Sequence, residues 1–319
     1  MRALFVTGAE GAVGRRLVRR LKACGYDVTC GVRNRARKLN YEREQFKALV
    51  CDVADSINVA RAVAAARPDG VIHLAGPSDP AIVKSDPLLA YQTIVTAWAN
   101  VLDAVRRTVP RARVLLISAA EVYGSAQPES PPFSESAPLR PNNAFGELKA
   151  AAESIARSYH REYHLNISIA RPFRYVGGSG PVPGELRRWL DRLAAWEGPD
   201  ARASISIENA GAVFDWLHID DVVTAYETIL HQGQPNETYN VCSGTGRTLG
   251  EVAQRLAALA HLPVAVADGG AGAPWALVGS NERLRQELGW TPTRSLDEAL
   301  AEIGRRYQTR TPVDATATV

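Results

Sequence analysis

The sequence has few of the residues that build disulfide-linked or metal-binding proteins. Its 319 residues include four cysteines and six histidines, and no two cysteines form a C-x-x-C pair. A disulfide framework and a zinc site are therefore not expected, and we predict no metal. This use of cysteine fits the reducing environment of the cytoplasm. The cysteines are Cys24, Cys30, Cys51 and Cys242.

Long apolar runs and dense charge are also scarce. No stretch approaches the roughly 20 apolar residues of a membrane span, and the N-terminus lacks the architecture of a signal peptide. The formal net charge is only +3, and the basic residues are scattered apart from a short run at 33–38. A nucleic-acid-binding protein usually gathers such residues into one stripe. The sequence therefore predicts no membrane partner, no nucleic-acid partner and a cytoplasmic location.

What is present is a regular alternation of short apolar runs and amphipathic stretches through the first half. Apolar strands separated by helices indicate a parallel sheet that is covered on both faces. We therefore predict an α/β fold, a Rossmann-type doubly wound parallel sheet with a smaller C-terminal substrate lobe. The predicted strands are 3–7, 27–32, 48–51, 70–74, 114–118 and 167–170, and the predicted helices are 13–24, 58–66, 95–108 and 145–162.

This regularity breaks after Arg171 and Pro172. We predict a dinucleotide-binding domain over 1–172, to which 212–242 returns, and a substrate lobe built from 173–211 and 243–308. The Thr- and Ala-rich segment 309–319 has no periodicity and is predicted to be a flexible tail. The other predicted elements are a loop at 177–181, helices at 184–196, 249–260 and 295–307, a strand and helix over 214–230, and a strand at 239–241.

A glycine-rich loop joins the first predicted strand to the first predicted helix. Its glycines have the spacing G-x-x-G-x-x-G. In a dinucleotide-binding loop the first glycine permits the tight turn, the second lets the backbone approach a pyrophosphate, and the third allows close packing of helix on strand. The helix N-terminus adds amide donors and a positive dipole. The residues predicted to bind the dinucleotide here are Gly8, Glu10, Gly11, Ala12, Val13 and Gly14.

The end of the second predicted strand indicates which dinucleotide binds. An NAD enzyme usually has an acidic residue there, which binds the ribose 2′-hydroxyl. This chain has Val32, followed by Arg33 and Arg35, and a guanidinium can hold a 2′-phosphate through two hydrogen bonds. NADP is therefore preferred over NAD, and the alternative is that the arginines form only a solvated charged run. Further predicted cofactor contacts are Asp52, Val53, Leu74, Ala75 and Gly76.

The helix predicted at 145–162 carries a lysine with an unusual neighbour. Lys149 lies four residues after Phe145, and this spacing puts both side chains on one helix face. The segment resembles the Tyr-x-x-x-Lys segment of the short-chain dehydrogenase/reductase superfamily. The resemblance implies a tyrosine that exchanges a proton with the substrate carbonyl, and a lysine that lowers the tyrosine's pKa. A phenylalanine has the shape of that tyrosine but no proton to give.

Motifs spread over residues 1–308 resemble one branch of that superfamily, the extended NAD(P)-dependent nucleotide-sugar epimerase/dehydratase family. Within it the chain is most similar to the GDP-4-keto-6-deoxymannose reductases and the GDP-mannose 4,6-dehydratases. The resemblance implies that Lys149 binds the nicotinamide ribose and that Pro172 contacts the cofactor. The motifs are His73-Leu74-Ala75-Gly76, Glu121-Val122-Tyr123-Gly124, Lys149-Ala150-Ala151-Ala152-Glu153, Arg171-Pro172-Phe173, Asp215-Trp216-Leu217-His218-Ile219-Asp220-Asp221-Val222, Tyr239-Asn240-Val241-Cys242-Ser243-Gly244 and Leu288-Gly289-Trp290-Thr291-Pro292.

Five positions depart from the family pattern, and two of the departures remove chemistry. Phe145 replaces the catalytic tyrosine, and Ala119 replaces the Ser or Thr that binds the substrate oxygen. Losing a general acid typically lowers a rate by about 10²–10⁴-fold, so losing both groups leaves little of the ordinary carbonyl chemistry. The other departures are Ile94 for an Asn, Arg174 for the Asn of Arg-Pro-x-Asn, and Phe214 for an Arg that often holds a diphosphate.

Other side chains are candidates for the missing chemistry. Glu121 matches the glutamate that removes the C5 proton in the family's 4,6-dehydratases, and the alternative is a polar residue at a strand end. Arg174 and Tyr175 follow the carboxyl end of a strand, where ligands bind in such sheets. Tyr123 suits packing in its turn more than substrate binding. The residues predicted to contact substrate are Ser118, Tyr123, Arg174 and Tyr175.

These features leave three functions open. We favour an atypical NADP(H)-dependent enzyme that performs a redox, elimination or epimerisation step on a nucleotide-diphosphate sugar or a related polar metabolite. The alternatives are an enzyme acting on a non-nucleotide natural-product intermediate, and a non-catalytic NADP-binding pseudoenzyme or partner subunit. Lys149 is expected to bind the cofactor and to place a cation near developing negative charge. His218 is expected to orient the connection to the lobe.

A homodimer is also predicted. In the family, two subunits commonly pair through a four-helix contact, and the corresponding helices here are 95–108 and 145–162. Apolar stripes at helical spacing usually serve the core, so only the remaining face of each helix is available to a partner. The stripes are Val95, Trp98, Leu102 and Val105 on the first helix, and Leu148, Ala152, Ile155 and Tyr159 on the second.

Overall fold

The computed structural model describes residues 1–77, 80–178, 184–194, 204–259, 265–268 and 273–308. The strands are β1 (Ala3–Thr7), β2 (Asp27–Val32), β3 (Lys47–Val50), β4 (Gly70–His73), β5 (Arg113–Ile117), β6 (Asn166–Pro172), β7 (Arg174–Val176), β8 (Ser204–Ile207), β9 (Val213–His218), β10 (Thr238–Val241), β11 (Gly246–Thr248), β12 (Ala265–Asp268) and β13 (Ala276–Leu277). The α-helices are α1 (Ala12–Ala23), α2 (Arg35–Arg43), α3 (Ser56–Ala66), α4 (Pro80–Ser85), α5 (Pro87–Tyr91), α6 (Ala97–Thr108), α7 (Ala144–Tyr163), α8 (Gly184–Ala194), α9 (Ile219–Gln232), α10 (Leu249–Leu259), α11 (Glu282–Leu288) and α12 (Leu296–Gln308). A π-helical turn spans Gln92–Thr96, and a 3₁₀-helix spans Ala120–Tyr123.

Seven strands form one parallel sheet with the order β10-β6-β5-β4-β1-β2-β3. The strand order reverses between β1 and β4, because the chain winds outward from β1 to β3 on one side and from β4 to β10 on the other. At such a point a crevice opens beyond the carboxyl ends of the strands. The predicted doubly wound fold is confirmed, and this crevice is where the candidate site lies.

Helices cover both faces of this sheet. On one face α1 and α9 contribute buried apolar side chains such as Leu17 and Ile229, and on the other α3, α6 and α7 contribute Val59, Leu102 and Ala156. Burial on both faces explains why the strands are continuous apolar runs rather than alternating ones. The crevice is therefore bordered by a sheet that is packed on both faces.

A smaller group of elements lies at the carboxyl edge of the large sheet. Strands β7, β11 and β13 each pair with β9, and β8 pairs with β12. Their core includes Phe173, Trp189, Phe214, Trp216 and Leu256. Within 212–242, β9 belongs to this smaller sheet, whereas β10 joins the large one. The division of the chain into two lobes stays a prediction.

The predicted elements lie within about two residues of the observed ones where the structure describes them. Helix α2 was missed, because its sequence was interpreted as a charged run. Its first turn is capped by Asn34, whose side chain accepts a hydrogen bond from Arg37 N. Part of the predicted loop (179–181), the end of the predicted helix (195–196) and the predicted tail (309–319) lie outside the described residues.

The helical segment Pro87–Thr108 joins α5, the π-helical turn and α6. By length and composition it is apolar enough to cross a membrane, which corrects our expectation that no stretch approaches that size. Half of its 18-residue apolar window is buried inside the protein, however, as in a core helix, so it is only a weak indication of a membrane span. The stripe of Trp98, Leu102 and Val105 faces the core.

Candidate cofactor and active site

The loop after β1 has the geometry of a phosphate-binding turn. Gly8 has φ +69°, and a Cβ there would lie 2.6 Å from Ala75 N. A Cβ on Gly14 would lie 2.2 Å from Gly8 O, so both positions require glycine. Gly11 is exposed, and a Cβ there would meet Gly8 O at an ordinary 3.4 Å. Gly11 therefore leaves open the space beside the N-terminus of α1, which suits the phosphates of a dinucleotide.

Strand β2 ends at Val32, and its end is surrounded by arginines. The carboxylate of Glu10 reaches across from the glycine loop, where it accepts a hydrogen bond from Arg33 N at 3.1 Å and lies 3.3 Å from Arg37 Nε. The side chains of Arg33 and Arg35 are exposed. Sequence reasoning missed Arg37 because it missed α2. The edge that would face an adenosine ribose thus carries three guanidinium groups and one carboxylate.

The turn after β3 lies at the same edge of the sheet. Asp52 is exposed and Val53 is buried. Asn100 of α6 donates a hydrogen bond to Val53 O at 2.9 Å, and so fixes this turn against the helix. Gly76, after β4, has φ +133°, and a Cβ there would lie 3.1 Å from the backbone of the π-helical turn. The predicted cofactor residues from three different loops are therefore brought to one edge.

A buried histidine ties β4 to the glycine loop. Thr7 Oγ1 and His73 Nδ1 are 2.7 Å apart, and Thr7 O accepts a hydrogen bond from Leu74 N at 3.2 Å. Ala75 N donates to Thr7 Oγ1 at 3.4 Å. Burial, helped by the charge of Lys149, lowers the pKa of His73 to about 3. His73 is therefore neutral and serves to hold the loop.

Phe145 and Lys149 lie on one face of α7, as their spacing predicts. Phe145 and Ala119 are 4% and 5% exposed and belong to the same apolar cluster. Lys149 Nζ donates a hydrogen bond to Ile117 O at 2.8 Å. The same ammonium lies 5.7 Å from the ring centroids of both Phe145 and Trp98. Two aromatic rings and a carbonyl thus hold the lysine. The sequence placed Trp98 in an apolar stripe but did not predict its contact with Lys149.

Four ionisable side chains meet where β5 and β7 approach the crevice. Glu121, Arg174 and Tyr175 are partly exposed although protein surrounds them, as expected of residues that line a cleft. Burial raises the pKa of Glu121, and the charges of Arg174 and Lys149 oppose this. Burial lowers the pKa of Lys149 to about 8 and that of Arg174 to about 10, with Glu121 opposing both shifts. Burial also raises the pKa of Tyr175 to about 12.

A fully buried polar network lies beneath this cluster. Ser118 Oγ donates to Glu153 Oε1 at 2.6 Å, and Arg171 holds both carboxylate oxygens of Glu153 at 2.9 and 2.7 Å. Arg171 also donates to the Tyr123 hydroxyl, which donates to Asn240 Oδ1, each at 2.7 Å. These bonds favour the packing interpretation of Tyr123. Substrate contact by Ser118 or Tyr123 stays a prediction.

Three further positions were singled out from the sequence. His218 is buried and caps α9, because its Nδ1 accepts a hydrogen bond from Asp220 N at 3.1 Å. This agrees with the expected orienting role. Ile94 lies in the π-helical turn and is buried in the apolar core. Pro172 ends β6 and is also buried. Among the described residues no group of three His, Cys, Asp or Glu side chains is placed to hold a metal ion.

Comparison with known proteins gives consistent matches over most of the chain. The model of the NAD dependent epimerase/dehydratase family matches residues 4–242. The GDP-6-deoxy-D-mannose reductase of Pseudomonas aeruginosa is 27% identical over 252 residues, which are 76% of this chain and 81% of that protein. The structure of RMD from Pseudomonas aeruginosa complexed with NADPH has a TM-score of 0.84 and 24% identity, and the match covers 98% of this chain and 100% of that one. A putative epimerase from Burkholderia cenocepacia has a TM-score of 0.83 and 30% identity, covering 97% and 99%.

Proposed function

Because the chain belongs to the NAD dependent epimerase/dehydratase family, an extended branch of the short-chain dehydrogenase/reductases, we propose that it is an NADP(H)-dependent enzyme. Its substrate is a nucleotide-diphosphate sugar or a related polar metabolite, and the reaction is a redox, elimination or epimerisation step centred on a ketone. The observation that carries this proposal is the cluster of Glu121, Lys149, Arg174 and Tyr175 at the crevice. The similarity to a GDP-6-deoxy-D-mannose reductase supports a nucleotide-sugar substrate.

Glu121 is the proposed general base. Burial raises the pKa of Glu121, and the positive charges of Arg174 and Lys149 oppose this shift and favour the ionised carboxylate. A base works best when its pKa lies near the operating pH, and this environment moves Glu121 in that direction. Glu121 would take a proton from a carbon beside the ketone, while Lys149 stabilises the negative charge that develops on oxygen. When bound, the nicotinamide supplies or accepts a hydride.

The residues around β2 support NADP as the preferred cofactor. The exposed guanidinium groups of Arg33 and Arg35 suit a 2′-phosphate, and Arg37 adds a third positive charge. Glu10 offsets part of that charge because it pairs with Arg37. The glycine loop and the N-terminus of α1 would hold the pyrophosphate, and Lys149 the nicotinamide ribose.

The experiment for this proposal is an incubation with a panel of nucleotide sugars. GDP-, UDP-, CDP- and dTDP-sugars are each mixed with the protein and NADP(H), and the products are identified by mass spectrometry. Conversion of at least one sugar, lost in Glu121→Gln, is the expected result. No binding and no conversion across the panel would contradict a nucleotide-sugar substrate and favour a non-nucleotide natural-product intermediate.

A second candidate is a non-catalytic NADP-binding protein or partner subunit. Phe145 and Ala119 favour it, because both positions that normally carry a reactive hydroxyl are packed into the apolar core. Under this alternative the protein binds NADPH but converts no sugar, and Glu121→Gln changes nothing measurable. The ionisable cluster at the crevice favours the enzyme instead, since a protein that has lost its chemistry has no reason to keep these charged side chains together there.

We also propose a homodimer. The stripe of α6 serves the core, so it is not available to a partner, whereas Leu148, Ile155 and Tyr159 of α7 are partly exposed. Apolar side chains on α4 and α5 are also exposed, including Leu88 at 68% and Tyr91 at 50%. A dimer would cover such apolar surface. Light scattering should give twice the 34.5 kDa of one chain, and a single-chain mass would refute the dimer.

A further inference from the structure

The charged end of Lys149 lies over two aromatic rings, which we call the aromatic pair. The rings belong to Trp98 of α6 and Phe145 of α7, and the ammonium nitrogen is 5.7 Å from the centroid of each. Both rings are buried, at 1% and 4% exposure, and they belong to one apolar cluster. Lys149 itself is only 7% exposed. Aromatic faces therefore take the place of much of the water that surrounds an ordinary lysine.

The fold holds both rings in place. Phe145 lies one helical turn before Lys149 on α7, so the helix itself keeps the two side chains together. Trp98 is the second residue of α6, directly after the π-helical turn. His73 of β4 packs edge-on against the indole, with ring centroids 6.4 Å apart and ring planes at 78°. Because Thr7 of β1 holds His73 in turn, the position of Trp98 is tied to the large sheet.

An aromatic face stabilises a cation that lies over it. The ring carries partial negative charge on its face, and the attraction reaches to about 6 Å and is stronger where water is excluded. Burial without such a contact favours the neutral amine instead. The ammonium of Lys149 is also held by Ile117 O, which accepts its hydrogen bond at 2.8 Å. The aromatic pair thus favours the charged form of a lysine that burial alone would neutralise.

The ionisable groups around Lys149 do not give constant support to its charge. Glu121 of the 3₁₀-helix and Glu153 of α7 favour the ammonium, but Arg174 of β7 also interacts with Glu121. His73 is neutral because it is buried and lies near the charge of Lys149. As the proposed base, Glu121 loses its charge when it takes a proton, which is when negative charge develops on the substrate oxygen. The rings do not change at that stage, so the aromatic pair still supports the cation.

We propose that Trp98 and Phe145 are positioning residues, which hold Lys149 in its charged form at the reaction end of the crevice. Phe145 then has a role of its own and does more than lack a proton. In physical terms, the two rings raise the pKa of Lys149 above the value that the same burial would give without them. The consequence for turnover rests on the proposed function, whereas the pKa of the lysine can be measured without a substrate.

The test is a pH titration of the Lys149 side chain by NMR. The chain has five lysines, so protein grown with isotope-labelled lysine gives few signals, and Lys149→Arg identifies the signal of Lys149. The full chain is titrated at saturating NADPH with no sugar present. Trp98→Leu and Phe145→Leu should each lower the pKa of Lys149 by about half to one unit. The alkaline decline of turnover should move to lower pH by the same amount, because the cation is lost earlier.

Two more variants separate the ring from packing. Trp98→Phe keeps an aromatic face, and should lower the pKa of Lys149 by less than Trp98→Leu does. Trp189→Leu removes a buried tryptophan from the core of the smaller sheet, and should leave this pKa unchanged. A role in packing alone predicts the opposite sign, since a smaller side chain admits water and so raises the pKa. Circular dichroism and NADPH titration check that each variant is folded. If Trp98→Leu is unfolded, Trp98→Phe and Phe145→Leu decide the outcome.

The outcomes distinguish this proposal from the proposed function. An unchanged or raised pKa of Lys149 in the leucine variants would overturn the role of the aromatic pair. If those variants also convert a nucleotide sugar with an unchanged alkaline decline, the pair is refuted while the proposed function stays intact. A lowered pKa without conversion of any nucleotide sugar would support the aromatic pair and contradict the nucleotide-sugar substrate.

Discussion

The two ends of the crevice contrast in how much of the family pattern they keep. At the cofactor end Gly8, Gly11 and Gly14 have the geometry of a dinucleotide loop, whereas at the reaction end Phe145 and Ala119 place apolar atoms where hydroxyls are usual. The cofactor end depends on backbone groups and on the room that glycines leave. Many substitutions at surrounding positions therefore leave it intact. The second depends on single atoms, so one substitution removes a function. Binding and chemistry in one fold can therefore diverge separately.

The sharpest test of the reaction end is Glu121→Gln. The amide cannot take a proton, so turnover should fall by about 10²–10⁴-fold if Glu121 is the base. NADPH affinity should stay unchanged, because the cofactor end does not depend on this carboxylate. Glu147→Gln is the matched control, since Glu147 is an exposed glutamate of α7. Equal turnover of Glu121→Gln and the unaltered protein would show that another group is the base.

The cofactor end is tested by replacing Arg33 and Arg35 with Ser together. NADPH affinity should fall by about 10–100-fold through the loss of charge-assisted hydrogen bonds to the 2′-phosphate, and NADH affinity should barely change. Fluorescence titration of both cofactors measures this, with Arg43→Ser as the control. Tighter binding of NADH than NADPH by the unaltered protein would contradict the NADP assignment.

The pH dependence of turnover should report the reaction end alone. Burial lowers the pKa of Lys149 from 10.5 to about 8, so its positive charge is lost as the pH rises through 8. Turnover should then fall, by about tenfold for each further pH unit if the cation is required. On the acid side turnover should fall as Glu121 gains a proton, at a pH above the usual range because its pKa is raised.

Lys149→Arg should move the alkaline decline upward, because the ordinary pKa of arginine lies about two units above that of lysine. Turnover is measured at saturating cofactor over the whole pH range, so that a change in cofactor binding by Lys149 does not enter the curve. A flat turnover profile between pH 7 and pH 10 would rule out a required cation at Lys149.

The smallest effect is expected from Phe145→Tyr, which restores the family's hydroxyl. Turnover should change by less than about threefold, because Ala119 still lacks its hydroxyl and Lys149 is already held by Ile117 O. A double variant, Phe145→Tyr with Ala119→Ser, sharpens the comparison. A rise of several orders of magnitude in either variant would mean that the ordinary mechanism was blocked rather than replaced.

Much of the fold was predictable because the large sheet is buried on both faces. Its strands stand out as apolar runs, and the amphipathic helices between them have a clear period. Helix α2 could not be found in this way, since Tyr41 is its one buried residue among those described. Its signal was instead the capping residue Asn34 before the charged run. In the smaller sheet β9 was predicted as the strand at the start of 214–230. Strands β7, β11 and β13 are two or three residues long and carry too little pattern to detect.

The site was predictable where a motif is local and unpredictable where it depends on distant pairing. The glycine loop and the spacing of Phe145 and Lys149 are properties of one short segment each. The stacking of Arg174 on Phe214 depends on the pairing of β7 with β9, which no local pattern encodes. The contact of Trp98 with Lys149 likewise depends on how α6 and α7 pack. The sequence therefore revealed the missing hydroxyls at Phe145 and Ala119, but not the contacts that Arg174 and Lys149 make with aromatic rings.

The π-helical turn at Gln92–Thr96 has a consequence for evolution of the reaction end. A π-turn holds one residue more than an α-turn, and each residue rotates a helix by about 100°. Alignment with a homologue whose helix is uninterrupted therefore needs a one-residue gap here, and the position of that gap decides which residue corresponds to Ile94. Insertion or deletion of a single codon in this turn would rotate α6 by about 100° and move Trp98 away from Lys149, without any amino-acid substitution.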